Sequence, residues 1–274
     1  MSSYLIILTG ATGGLGRTIA QTWVTAHGSS KVGSLHLILV GRSMEALTSQ
    51  KEELLSLKKG LTNDTTGSDL VVSIVANVDL AKIEELDTHW QHIHATYQEG
   101  SYDKLYLILN AGSLGDLSKG MSDYTTQEIR SYMDMNVVST MALTGHFLRA
   151  MEAWKDPKAK GYIINISSLL ALKSFSHWGL YSVGKTARDR MMDTVSKEVQ
   201  EEKRIRTFSY SPGPLNNAMQ ATVRESLGDS EQKEVYRQMH QEGKLVEPKD
   251  TANKLLSLLL EDAFTSGSHV DYYD

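Results

Sequence analysis

Tyr4-Leu-Ile-Ile-Leu-Thr9 runs directly into Gly10-Ala-Thr-Gly-Gly-Leu-Gly16, and helical spacing then covers residues 15–27. An apolar run, a glycine turn and an amphipathic stretch in that order form the start of a strand–turn–helix unit. Glycines at 10, 14 and 16 permit tight turning and close backbone approach. The helix N-terminus beyond them can then face a pyrophosphate. The spacing is G-x-x-x-G-x-G rather than the longer G-x-G-x-x-G. Thr12, Gly13 and Leu15 complete the loop and are expected to line the same anion site.

The alternation repeats outward from this unit. Short apolar runs occupy residues 4–9, 35–40, 70–76, 104–109, 162–167, 205–210 and 268–273. Helical periodicity fills 15–27, 44–58, 81–97, 125–151, 180–201, 221–241 and 250–261. Most of the apolar runs are continuous, as expected of parallel strands covered on both faces. The expected fold is therefore α/β, a doubly wound parallel sheet of about seven strands flanked by helices. No repeat or linker interrupts the pattern, so residues 1–274 are read as one domain. Residues 58–69 (KKGLTNDTTGSD) are expected to form an exposed loop, and 154–161 a short charged connection. In residues 212–243 a Pro-Gly-Pro loop leads into a polar helical region, placed to form a lid beyond the carboxyl ends of the strands.

Composition narrows the function. The chain is 41% hydrophobic over 274 residues, enough for a large core, and its 22% charged content excludes a wholly disordered chain. With 28 basic and 33 acidic residues the net charge is −5, and no basic cluster suggests a nucleic-acid partner. The absence of cysteine excludes thiol catalysis, a disulfide scaffold and cysteine-ligated metals. The longest apolar stretches reach about six residues, against the ~20 of a membrane helix. A signal-peptide pattern is missing at the N-terminus, so a soluble, cytoplasmic protein is expected. His89, His92 and His94 lack a carboxylate to complete a metal set. They are expected on a solvated face, with no metal.

Three further motifs carry chemistry. Gly41-Arg42-Ser43 closes the second strand, where an acid would accept from the 2′-hydroxyl of a dinucleotide ribose. Arg42 instead suits a 2′-phosphate, with Arg17 as a second cation; either arginine is otherwise a solvated surface residue. Tyr181-Ser-Val-Gly-Lys185 places a phenol and an ammonium on one helical face, and Ser168 ends the fifth strand thirteen residues upstream. A nearby ammonium favours the phenolate and tunes an otherwise poor proton shuttle, while a serine hydroxyl can hold a substrate carbonyl. Asn110-Ala111-Gly112 ends the fourth strand, and Asn136 lies in the following helix. Asp79 ends the third strand, either accepting from an adenine amino group or capping the next helix.

Together these motifs resemble the short-chain dehydrogenase/reductase family, in order and over essentially the whole chain. Longer strings resemble the family's pterin-reducing members: Asn110-Ala-Gly-Ser-Leu-Gly-Asp-Leu-Ser-Lys-Gly120, Ser211-Pro-Gly-Pro-Leu215, Gly243-Lys-Leu-Val246 and Ser266-Gly-Ser-His-Val-Asp-Tyr-Tyr-Asp274. The resemblance implies a Rossmann-like fold, with Tyr181 as proton donor and Lys185 as its tuner and a ribose ligand. It makes Ser168 the carbonyl-binding hydroxyl and Asn136 the holder of a water relay behind Lys185. The glycine loop, Arg17, Arg42, Ser43, Asp79, Asn110, Ala111 and Gly112 would surround NADPH. From the loop after the sixth strand Pro212, Gly213, Leu215, Asn217, Met219 and Gln220 would join them. Trp178, Gly213, Met219 and Asp271 would face the substrate beside Ser168 and Tyr181. Asn217 and Ala218 depart from the family's usual threonine and neighbouring acid.

The activity so implied is NADPH-dependent reduction of a pterin side-chain ketone, in tetrahydrobiopterin formation. One alternative is a reductase of small diketones or xenobiotic carbonyls. Another is a non-catalytic NADPH-binding sensor or scaffold. A homodimer is implied, joined through the amphipathic stretches 125–151 and 180–201.

Overall fold

The carboxyl ends of seven parallel strands, and the segments that leave them, build the region of interest. In a computed structural model, residues 2–61, 69–201 and 203–274 are described. The elements run β1 (Tyr4–Thr9), α1 (Gly14–Gly28), β2 (Leu35–Val40), α2 (Met44–Leu61), β3 (Leu70–Val75), α3 (Leu86–Ala95) and β4 (Lys104–Leu109). They continue α4 (Thr126–Met133), α5 (Ser139–Glu152), β5 (Lys160–Ile166), α6 (Gly179–Glu198) and β6 (Ile205–Ser211). Last come α7 (Ala218–Ser226), α8 (Ser230–Gln241), α9 (Pro248–Glu261) and β7 (His269–Asp271).

The sheet order is β3-β2-β1-β4-β5-β6-β7, and every pairing is parallel. Its strand order reverses between β1 and β4, which opens the crevice where such sheets take ligands. Register brings Thr9 beside Val40, Leu109 beside Asn165 and Ser211 beside Asp271.

Every residue of β1 and β2 is buried, because helices cover both faces. On one face Ile6, Leu8, Leu37 and Tyr106 pack with Trp23 of α1 and Leu255 of α9. On the other, Leu5, Ile7, Leu107 and Ile163 pack with Trp90 of α3, Phe147 of α5 and Met192 of α6. A third apolar cluster joins Leu114, Leu117, Leu170 and Trp178 to Val223 and Leu227 of the lid region. No helix among the described residues is long and apolar enough to cross a membrane.

Four local features depart from the periodicity. The continuous helix expected over 125–151 is interrupted by a π-helical turn, Asp134–Val138. There the Asn136 amide bonds back to Tyr132 O (3.0 Å) and out to Ser113, while Ser139 and Thr140 hydroxyls bond Met135 O and Asn136 O. The helical region at 221–241 breaks after Ser226. Leu227 is fully buried, Gly228 N donates to Leu117 O at 2.8 Å, and Asp229 then caps α8. Of the loop expected at 58–69, residues 58–61 belong to α2 and 62–68 lie outside the described residues. His89 is buried in α3 with Glu85 at 3.4 Å, so that part of the histidine cluster is not a solvated face.

Candidate active site

The glycine loop is held from below by β4. Asn110 Nδ2 donates to Thr9 O and Gly10 O, each at 3.0 Å, and the Thr9 hydroxyl accepts from Asn110 N and Ala111 N at 3.1 Å. Gly10 (φ +63°) and Gly14 (φ +47°) adopt the left-handed conformation that favours glycine. At Gly16 a Cβ would lie 2.2 Å from Gly10 O and 2.7 Å from Asn110 Nδ2, so the turn tolerates no side chain there. Gly13 precedes α1 without any side-chain cap. The first N–H groups of α1 therefore face outward as a ready anion site. Thr12 is half-buried, Gly13 and Gly14 are exposed, and Leu15 anchors the turn in the core.

Residues beyond β2 and β3 flank this loop. Arg42 is exposed just past β2, and the Ser43 hydroxyl accepts from Ala46 N at 3.2 Å, capping α2. Arg17, expected as a second cation, is half-exposed and pairs with Glu53 of α2. Asp79 Oδ1 accepts from Ala81 N at 3.1 Å and so closes the turn after β3. It does not cap the next helix, because the 3-10 turn Ile83–Glu85 follows Lys82 and α3 follows Glu85, neither with a side-chain cap.

The phenol, ammonium and serine hydroxyl converge where β5 ends and α6 begins. Ser168 starts a single 3-10 turn, Leu169–Ala171, and accepts from Leu170 N at 3.2 Å. Lys185 is buried, donates to Ile166 O at 2.6 Å, and lies 5.5 Å from the Tyr181 ring centre. Burial pushes the Tyr181 phenol up to about 12, opposed by the Ser168 hydroxyl and the Arg188 guanidinium. Burial holds Lys185 well below the usual ammonium range, and Arg188 adds to that effect. The phenol thus keeps its proton at neutral pH. Asn136 does not reach Lys185 directly: its amide is committed to Ser113 N (2.8 Å), Ser113 Oγ (3.1 Å) and Tyr132 O.

The segment after β6, expected as a lid, packs on the same place. Trp178 is buried, donates from Nε1 to Gln232 of α8 at 3.2 Å, and packs against the Tyr181 and Tyr236 rings at 5.5 and 6.4 Å. Gly213 (φ +77°) turns the chain after buried Pro212, and its open side meets Val246, Tyr272 and Tyr273. Leu215 bridges to Val246, and Asn217 caps α7 by accepting from Gln220 N at 3.0 Å. A Cβ on Gly14 would lie 3.5 Å from Asn217 Nδ2, so lid and glycine loop are neighbours. Met219 is 42% exposed, whereas Gln220 is buried with its Oε1 unpartnered among the described residues. Asp271 stands at the carboxyl end of β7 beside Ser211, with Oδ1 accepting from Tyr273 N at 3.0 Å.

Sequence reasoning missed Thr9, Asn165, Arg188, Gln232 and Tyr236. Arg188 had a signal: it follows Lys185 by three residues and Tyr181 by seven, the spacing of one helical face. No group of three or more His, Cys, Asp or Glu able to hold a metal occurs among the described residues.

A family model described as short chain dehydrogenase matches residues 4–228. The sepiapterin reductase of Rattus norvegicus is 37% identical over 269 residues, covering 98% of this chain and 95% of that protein. A benzil reductase ((S)-benzoin forming) of Bacillus cereus is 25% identical over 264 residues, 96% of both chains. Among solved structures, a short chain dehydrogenase from Shigella flexneri 2a str. 301, complexed with NADP, superposes with a TM-score of 0.71. It is 25% identical and covers 100% of this chain and 98% of that one.

The loop geometry makes a direct prediction. Gly16→Ala should destabilise the protein by about 1–3 kcal/mol, because backbone must move to admit the methyl group. Gly13→Ala, with nothing within 4 Å of its Cβ, should stay within about 0.5 kcal/mol of the parent. Urea denaturation of the pair checks this; equal stabilities would show that the loop relaxes around either methyl group.

Proposed function

Because the chain belongs to the short-chain dehydrogenase family, we propose that it is an NADPH-dependent carbonyl reductase with the specificity of a sepiapterin reductase. The observation that carries the chemistry is the Ser168–Tyr181–Lys185 set, gathered at the carboxyl edge of the sheet under a lid. The specificity rests on 37% identity to a sepiapterin reductase over nearly the whole chain.

The residues present fit a dinucleotide phosphate. The glycine turn has no room for a Cβ at Gly16, α1 opens without a side-chain cap, and buried Gln220 Oε1 lacks a partner among the described residues. Arg42 would pair with the 2′-phosphate, Gly10, Gly14 and Gly16 would cradle the pyrophosphate, and Lys185 would hold a ribose hydroxyl. NADPH, when bound, supplies a hydride from its nicotinamide to the substrate carbonyl carbon. Ser168 holds the carbonyl oxygen by donating a hydrogen bond. Tyr181 gives that oxygen its phenolic proton as the negative charge develops. Lys185 stabilises the phenolate left behind. Asn136 braces the turn at Ser113 rather than touching Lys185, so any relay between them runs through water.

Asp271 anchors a pterin in this reading. Its carboxylate matches two side-by-side donors, a ring N–H and an exocyclic amine. That remote pairing positions the side-chain ketone at Tyr181. A second reading, reduction of small diketones, draws on the apolar cluster around Trp178 and on the similarity to a benzil reductase. A sensor or scaffold would have no use for a buried phenol–ammonium pair. We also read the enzyme as a cytoplasmic homodimer. Val138 and Met141 on the 134–152 segment and Val183 on α6 are exposed apolar residues on the two stretches expected to pair.

Cofactor choice should follow Arg42. NADPH should be preferred over NADH by about 1.5–3 kcal/mol, roughly ten- to over a hundred-fold in kcat/KM, and Arg42→Asp should erase or invert the preference. Equal kcat/KM for both cofactors in the parent enzyme would refute the assignment.

Tyr181→Phe should bind NADPH, seen by quenching of protein fluorescence, yet lose about 10²–10⁴-fold in turnover of sepiapterin. Turnover near the parent rate would require another proton donor.

Asp271→Asn separates the two substrate readings. It should cut kcat/KM for sepiapterin roughly ten- to a hundred-fold and leave a small diketone almost unaffected. An equal loss on both substrates would assign the tail a structural role, and no loss on either would remove Asp271 from the substrate site.

A further inference from the structure

Arg188 lies on α6 one turn beyond Lys185 and is only 1% exposed. A guanidinium so deeply buried is costly unless it is hydrogen-bonded, and each of its three nitrogens has an acceptor. Its Nε donates to Asn165 Oδ1 at 2.7 Å, its Nη2 to Leu109 O at 2.5 Å and its Nη1 to Ala111 O at 3.2 Å. The fork therefore joins α6 to the last residue of β4 and to the turn at 110–112. A Cβ on Gly112 would sit 3.6 Å from Nη1, so the turn packs directly on the cation. Asn165 passes the connection on, donating to Ser209 Oγ and Asp189 Oδ1 at 2.9 Å each. The other Asp189 oxygen pairs with His269 Nδ1 of β7 at 2.6 Å. One buried network thus ties the helix bearing Tyr181 and Lys185 to β4, β5, β6 and β7.

None of these acceptors is a carboxylate, so the charge on Arg188 is not cancelled where it sits. An apolar side chain of similar volume is often no less stable in such a place. What the guanidinium adds is a fixed positive field next to Tyr181 and Lys185. We propose that Arg188 is a positioning residue for the Tyr181–Lys185 pair, clamping α6 to the carboxyl end of β4 and supplying the fixed cation against which both groups exchange protons. The inference rests on the reading of Tyr181 as proton donor.

The surrounding groups support this division of labour. Tyr132 from α4 and Tyr236 from α8 approach as neutral phenols, and Asp189 on α6 is engaged by His269. Arg188 favours the deprotonated form of both neighbours, opposing burial at Tyr181 and reinforcing it at Lys185. Burial brings Arg188 itself down only to about 10, so it stays charged through neutral pH. During carbonyl reduction the phenolate formed at Tyr181 then meets a cation whose charge does not depend on the protonation of Lys185.

The test reads Lys185 in the chain alone, without cofactor or substrate. Its midpoint is followed by the 13Cε shift in lysine-labelled protein and assigned from the signal missing in Lys185→Ala. Arg188→Met removes the charge and should raise that midpoint by about one unit or more. Arg188→Lys keeps the charge and loses the fork. It should leave the midpoint within a few tenths of a unit while kcat for carbonyl reduction falls on the order of tenfold or more. If Arg188→Met does not fold, Arg188→Gln, which keeps an amide donor for the strand-end carbonyls, carries the same expectation. An unmoved Lys185 midpoint in a folded charge-removed variant overturns the electrostatic role. An unchanged kcat in Arg188→Lys overturns the clamp. A parent enzyme that reduces no carbonyl at all, with the midpoint shift intact, would instead sink the reading of Tyr181 as proton donor.

Discussion

The amide of Asn110 holds β1 and β4 together at the point where the strand order reverses. Its two bonds to Thr9 O and Gly10 O fix the entry to the glycine turn, and the Thr9 hydroxyl answers by bonding the backbone of Asn110 and Ala111. Helices cover both faces of the sheet, so polar chemistry is confined to strand ends. Everything attributed to the site is built on that edge. The turn closes because Gly16 carries no side chain, Gly10 O and the Asn110 amide leaving no room for one. Arg188 reaches the same edge from the opposite side, through Leu109 O and Ala111 O.

The sheet was legible because most of its strands are nearly continuous apolar runs. All seven strands lie within two residues of their expected ends, the seventh being shorter, His269–Asp271 against 268–273. Boundaries failed where a distant partner decides the backbone. The π-turn at Asp134–Val138 depends on Ser113, and the break at Leu227 on Leu117. Neither partner is visible in a periodicity that reads neighbours three and four residues away. His89 was misplaced for a related reason: histidine spacing says nothing about which face α3 presents to the core.

At the site, sequence spacing found the groups proposed to carry the chemistry, and missed those that hold them in place. Tyr181 and Lys185 share a helical face, and Ser168 ends a strand, so both were readable. Asn165 looked like part of a strand, and its amide joins Arg188, Ser209 and Asp189 only through tertiary structure. Arg17 shows the same limit: its position beside the glycine turn suggested an anion ligand, and its pairing with Glu53 of α2, thirty-six residues away, comes only from tertiary structure.

Burial by itself sets Tyr181 and Lys185 on opposite courses, raising the phenol and lowering the ammonium. Pushed far enough, both would be neutral, and a neutral amine gives little help to a phenolate. A third group that keeps its charge when buried resolves the conflict, and among side chains arginine does so best. Trp178 sharpens the same problem, since its ring packs on Tyr181 and on Tyr236 of α8 and adds to the burial of the phenol. The drier the site becomes, the more any fixed charge is worth there. On the proposed reading, the packing of Trp178 and Tyr236 therefore strengthens the influence of Arg188 on Tyr181 as the proton leaves.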